Sequence, residues 1–152
     1  MPDWIAIVDT REQHAFDLER FGVECVSQKL DSGDYSIAGY ERDIAIERKS
    51  ASDLLGCIGK GRERFVRELT RLADMQYAAV VCESPIDAVL SGEHRSFVSP
   101  ASVMGSVIAW EQRFGIHWHF CPSRPFAERL TFKILDRFFY ETTNANPERQ
   151  IR

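Results

Sequence analysis

The sequence predicts an α/β fold. Short apolar runs rich in β-branched residues, Ile5–Val8, Ile44–Ile46 and Tyr77–Cys82, read as strands. Between and after them, apolar residues recur every three or four positions, as at Phe65, Leu69 and Leu72, or at Val103, Val107, Trp110 and Phe114. That is the spacing of helices burying one face. At 152 residues and 44% hydrophobic content, the chain suffices for one compact core.

The elements follow in order. Ile5-Ala6-Ile7-Val8-Asp9-Thr10-Arg11-Glu12 reads as an apolar strand ending in acids, and ligand groups of α/β folds collect at carboxyl ends of strands. Asp31-Ser32-Gly33 signals a turn, and Asp34-Tyr35-Ser36-Ile37 a short strand. Asp43 to Lys49 reads as the next strand. Side chains alternate along it, so Glu47 and Lys49 share one face and Arg48 joins Ile44 and Ile46 on the other. Ser52 to Cys57 predicts a short helix with Asp53 in its first turn, where aspartate serves as a cap or, equally, in a metal-linked role.

Gly59-Lys60-Gly61-Arg62 is a glycine-flanked basic loop opening a helix to about Asp74. Glycines, cations and a helix N-terminus together suit a DNA phosphate, with Lys60 and Arg62 favoured, whereas Arg67 and Arg71 read equally as solvated charges. Tyr77 to Cys82 is a buried strand, and Ser91 to Ser96 a polar loop that is a candidate DNA contact. Ser99-Pro100 opens a helix, since proline fits a first turn. Ile116 to Phe120 alternates, placing His117 and His119 on one face. Nothing nearby completes a metal set, so an edge strand is the reading. Pro125 to Tyr140 predicts a long helix whose wide apolar face serves the sheet or a partner. Residues 1–143 then form one domain, with 144–152 a frayed polar tail.

The chemistry concentrates in Asp34, Glu47, Lys49 and Asp53. Lys49 alone among the four lysines has an acid two residues before it. An acid and a lysine at one strand end, with an aspartate from the neighbouring strand, make a hard-metal site beside a cation, which suits phosphodiester hydrolysis. Asp9, Glu12, Asp34, Glu47 and Asp53 face only Arg11, Arg48 and Lys49 as counter-charges. Carboxylates so clustered repel one another unless a divalent cation is present.

Gly33-Asp34, a spacer, then Glu47-Arg48-Lys49 and Asp53 resemble the signature of the XPF-type structure-specific endonuclease domain. Asp9-Thr10-Arg11-Glu12 is similar to that family's upstream Asp-x-Arg-Glu, and Gly61-Arg62 to its downstream Gly-Arg; the resemblance spans roughly residues 4–141. It implies a restriction-endonuclease-like core, a mixed central β-sheet flanked by helices, and metal-dependent cutting of branched or flapped DNA. Mg²⁺ or Mn²⁺ is expected on Asp34, Glu47 and Asp9. Lys49, Glu12 and Asp53 complete the catalytic set, and Arg11, Arg48, Lys60 and Arg62 hold DNA. Flap, fork or other branched DNA is the expected partner, with a homodimer or a separate DNA-binding protein besides. Two departures from the family are expected: a helix-hairpin-helix module after the domain and a helicase region before it are read as missing, and Phe65 and Val66 stand where many relatives carry a polar residue. The chain reads as a short stand-alone member, of the kind found in bacteria and phages.

No apolar run approaches the ~18 residues of a membrane span and the N-terminus lacks a signal pattern, so a soluble, cytoplasmic protein is expected. The four cysteines contain no Cys-x-x-Cys pair, against zinc or a redox dithiol; Cys82 and Cys121 read as buried thiols. The net charge of −4 is unhelpful to DNA binding, but residues 58–71 are basic and the site acids account for the deficit. Two rivals stand beside the endonuclease: a non-catalytic DNA-binding or scaffold subunit, and a nuclease acting on linear ends or RNA. Repair and recombination of DNA are the fitting settings.

Overall fold

The computed structural model describes residues 2–91 and 97–145. Six strands form one sheet: β1 (Ile5–Val8), β2 (Glu24–Ser27), β3 (Tyr35–Ile37), β4 (Ile44–Lys49), β5 (Tyr77–Cys82) and β6 (His117–Phe120), in the order β2-β1-β3-β4-β5-β6. β1 and β2 pair in parallel, as do β4, β5 and β6, while β3 runs antiparallel to both its neighbours. Five strands therefore point one way. The start of β3 lies beside the ends of β1 and β4, which is what carries Asp34 to Glu47.

Helices cover both faces. α5 (Arg124–Ala145) packs on one side, where Ala6, Tyr35, Ile37, Ile44, Ile46 and Val81 meet Ala127 and Leu135. α1 (Ala51–Ile58), α2 (Arg62–Leu72) and α4 (Pro100–Phe114) cover the other, around Ala45, Leu54, Phe65, Leu69, Val80 and Trp110. A short α3 (Ile86–Leu90) follows β5. The α/β reading holds, as a mixed sheet between helical layers.

Several local expectations are met. Ser99 caps α4 by accepting from the Ser102 amide, Pro100 occupies its first turn, and Val103, Val107 and Trp110 are buried. β6 is an edge strand, with His117 stacked on Tyr77. Cys82 and Cys121 are buried free thiols. Other expectations are corrected. β2 was not anticipated, because Glu24 and Ser27 leave it polar and largely exposed at a sheet edge. α1 begins at Ala51, and its cap is the Ser50 hydroxyl, accepting from the Asp53 amide, so Asp53 is third in the helix and not its cap. α5 runs to Ala145, so Asn144 and Ala145 belong to the helix and not to the tail. The remaining tail residues, 146–152, and residues 92–96 of the polar loop lie outside the described residues. No helix among the described residues is long and apolar enough to cross a membrane.

Candidate active site

Gly33 makes the site possible. It sits at φ +80°, where side chains are strained, and a Cβ there would lie 2.9 Å from the Ala45 Cβ. Only glycine lets the turn press onto β4, so that the Asp34 amide reaches the Ile46 carbonyl (2.8 Å) and the Asp9 amide the Asp34 carbonyl (2.8 Å). The Arg48 amide then donates to Asp34 Oδ2 at 2.8 Å.

The alternation of β4 sorts the charged residues as the sequence predicts. Glu47 and Lys49 face α1 and α2, with Lys49 Nζ 3.1 Å from Glu47 Oε1 and 5.1 Å from the centre of the Phe65 ring. Arg48 faces the other side. There it pairs with Glu12 and Glu83, and Glu83 in turn pairs with Arg124. Arg124 also donates to the carbonyls of His14 and Ala15, tying the segment after β1 to the start of α5.

A cleft of about 500 Å³ opens at this edge, lined by Asp9, Arg11, Asp31, Asp34, Glu47, Lys49, Asp53, Cys57, Arg64, Phe65, Glu68 and Arg71 among others. Its charge balance is strained. Glu47 is 4% exposed, and its Oε2 is buried with no hydrogen-bond partner. Burial first, and the Asp34 carboxylate second, push the Glu47 pKa well above the ordinary glutamate value, against the pull of Lys49. Burial likewise raises Asp34 to about 7, with Glu12 and Glu68 adding to it; the Arg48 amide and Lys49 oppose it. Burial disfavours the Lys49 ammonium, but Glu47, Cys57 and Glu68 more than offset this and hold its pKa above the usual lysine value. Lys49 is therefore a cation here and not a proton acceptor.

The expected site residues divide. Asp34, Glu47, Lys49 and Asp53 do come together in the cleft, with Asp9 and Arg11 at its side. Both Asp9 oxygens are engaged by protein donors. Its Oδ1 accepts from the Leu30 amide at 2.8 Å and its Oδ2 from Arg11 Nε at 2.8 Å. Burial pushes its pKa up, yet those bonds and the Arg11 amide outweigh burial and hold it below the usual aspartate value. Glu12 and the Arg48 side chain lie outside the cleft lining, bound to each other. Arg62 also turns away: it donates to Ser106 Oγ (2.7 Å) and the Ile58 carbonyl (3.3 Å), with its guanidinium 4.8 Å above the Trp110 ring. Lys60 is exposed and does not line the cleft.

Sequence reasoning missed Arg64 and Glu68 as cleft residues and left Arg71 even between a phosphate contact and a solvated charge. Their signal was available. Spaced four and three apart, they form the stripe next to Phe65, Leu69 and Leu72 on α2. Cys57, whose thiol burial keeps protonated above its usual pKa, was also unanticipated beside Lys49. Among the described residues, no three His, Cys, Asp or Glu side chains come together as a metal-holding group.

Comparison with known proteins agrees with this architecture. The chain matches XPF from Aeropyrum pernix with a TM-score of 0.72 and 23% identity, over 95% of this chain and 69% of that one. It matches XPF from Aeropyrum pernix in complex with DNA with a TM-score of 0.74 and 23% identity, over 93% of this chain and 66% of that one. Identity at this level speaks to the fold, which is the restriction-endonuclease-like fold of the XPF nuclease domain. No match was found among curated protein sequences. The ERCC4 domain matches residues 8–134, more than half of the chain, and with its motif residues gathered at one sheet edge the chain belongs to the ERCC4 domain family.

Proposed function

We propose that this protein is a metal-dependent DNA endonuclease that hydrolyses phosphodiester bonds in branched or flapped DNA. The observation that carries the reading is the buried, unpartnered Glu47 Oε2 beside Asp34, in a cleft where the paired cation, Lys49, already serves Glu47 Oε1. A buried and a half-buried carboxylate, both with raised pKa values, and one unmet oxygen fit a hard divalent cation, Mg²⁺ or Mn²⁺. Such ions need only one or two carboxylates, with waters and substrate phosphate supplying the rest, so a third protein ligand is not required. Asp34 and Glu47 would hold the ion; Asp9, already committed to Arg11 and Leu30, shapes the wall instead. When bound, the metal acidifies a water and neutralises charge on the phosphate.

The chain's own residues do the remaining work. Lys49, fixed between Glu47 and the Phe65 ring, is a permanent positive charge where the phosphate's negative charge grows. The Arg48 amide orients Asp34, and the Arg48 side chain anchors the back of β4 through Glu12 and Glu83. Asp53 faces the cleft from α1, where it can take up water in the metal's outer shell. DNA as the ligand is supported by the matched XPF having been solved in complex with DNA. A second copy of the chain or a separate DNA-binding protein would read the branch, in a repair or recombination setting.

The test is cleavage of labelled flap, fork, four-way junction, single-stranded and RNA substrates in Mg²⁺, Mn²⁺ or EDTA. The expected result is metal-dependent cutting of branched DNA that falls by about a hundredfold or more in Lys49→Ala and Asp34→Ala. Wild-type rates in Asp34→Ala would overturn these roles, and equal cutting of every substrate would overturn the branch preference.

A further inference from the structure

Helix α2 forms the wall of the cleft facing the carboxylates. Phe65, Leu69 and Leu72 bury its apolar stripe, and the adjacent stripe of Arg64, Glu68 and Arg71 lines the cleft. Four cations line that cleft. Arg11 is paired with Asp9 and Lys49 with Glu47, but among the described residues neither the Arg64 nor the Arg71 guanidinium has an ion-pair or hydrogen-bond partner. Both are exposed despite the acids close by, so their guanidinium forks stay open to a ligand. A free fork matches two oxygens of a phosphate.

Spacing narrows the ligand further. Seven residues of α-helix separate the two arginines by roughly 10.5 Å along the axis. That separation is well beyond the ~3.4 Å axial rise between neighbouring nucleotides of B-form DNA, so the two forks reach different phosphates. We propose that Arg64 and Arg71 clamp two phosphates of one DNA strand, laying the strand across the acidic end of β4. The clamp rests on the nuclease reading for its ligand. Between the two forks, Glu68 adds its negative charge to those of Asp34 and Glu47, and a divalent cation held by Asp34 and Glu47 would offset this repulsion of the strand. The two arginines hold the strand beside the carboxylates.

The experiment is metal-free binding in EDTA, where no strand is cut. Fluorescence anisotropy of a labelled duplex is followed across a KCl series for wild type, Arg64→Gln, Arg71→Gln, the double variant and Arg67→Gln. Arg67 is on the same helix, exposed and outside the cleft. Circular dichroism confirms that each variant is folded. Each cleft variant should lower the slope of log K against log salt by about 0.9, and the double variant by about twice that, while Arg67→Gln leaves it unchanged. Unchanged slopes in both cleft variants, or an equal loss in Arg67→Gln, would overturn the clamp. Slopes that fall as expected in a protein that never cuts with Mg²⁺ or Mn²⁺ uphold the clamp and sink the nuclease reading. A protein that cuts with unmoved slopes does the reverse.

Discussion

Asp34 and Glu47 are held where their charges are disfavoured, and that strain has a measurable sign. Asp34 rises from 3.8 to about 7 on folding, with burial as the main cause. A group whose folded pKa is raised contributes stability that is fully present below its unfolded value and lost as pH climbs through the folded one. Metal-free wild type should therefore lose stability from this group between about pH 4 and pH 7. His119 works oppositely, because burial and His117 lower its pKa, so neutral imidazole is favoured as pH rises. Comparing wild type with Asp34→Asn separates the two. In EDTA, the urea midpoint of Asp34→Asn should exceed that of wild type at pH 8, and the gap should close toward pH 4. A gap that is constant with pH would show that Asp34 is not strained in the fold.

Among the elements, the turn before β3 and the alternation of β4 build the site between them. Gly33 stands at φ +80° with Ala45 and the Ile46 carbonyl directly against the place of a side chain. Gly33→Ala should cost roughly 1–3 kcal/mol from backbone strain and crowding, read as a lower denaturant midpoint. It should also loosen the Asp34 amide's bond to Ile46, so catalytic rate should fall further than the folded fraction does. A Gly33→Ala protein as stable as wild type would mean the turn has room that its geometry denies. On β4 the period of two sends Glu47 and Lys49 into the cleft and Arg48 into a half-buried ion cluster behind it. One strand end thus lines the cleft on one face and is anchored on the other.

For the molecule as a whole, five co-directional strands place their carboxyl ends at one edge, and the reversed β3 delivers its first residues there. The acids that gather at this edge repel one another, and on the proposed reading a divalent cation would relieve that repulsion. Mg²⁺ should accordingly raise the melting temperature by mass action, corresponding to about 2.7 kcal/mol at a hundred times its Kd. The effect should vanish in Asp34→Asn and be larger at pH 8 than at pH 5, since the carboxylates must lose their protons to bind. Equal stabilisation of wild type and Asp34→Asn would place the ion elsewhere.

The α/β class, the apolar faces of β4, α2 and α4, and the meeting of Asp34, Glu47, Lys49 and Asp53 were all legible in the order of residues. These follow from short-range rules: the two-residue period of a strand, the 3.6-residue period of a helix, and a turn that needs glycine. Other assignments came from packing. The folded chain commits Asp9 to Arg11 and Leu30, draws Glu12 behind the sheet to Arg48, and turns Arg62 onto Ser106 and Trp110. It also selects Arg64, Glu68 and Arg71 for the cleft. Periodicity shows which residues share a face of α2, but the neighbour that each face meets depends on how the helix packs against sheet and α4 together. That is a sum of long-range contacts, which no local pattern encodes.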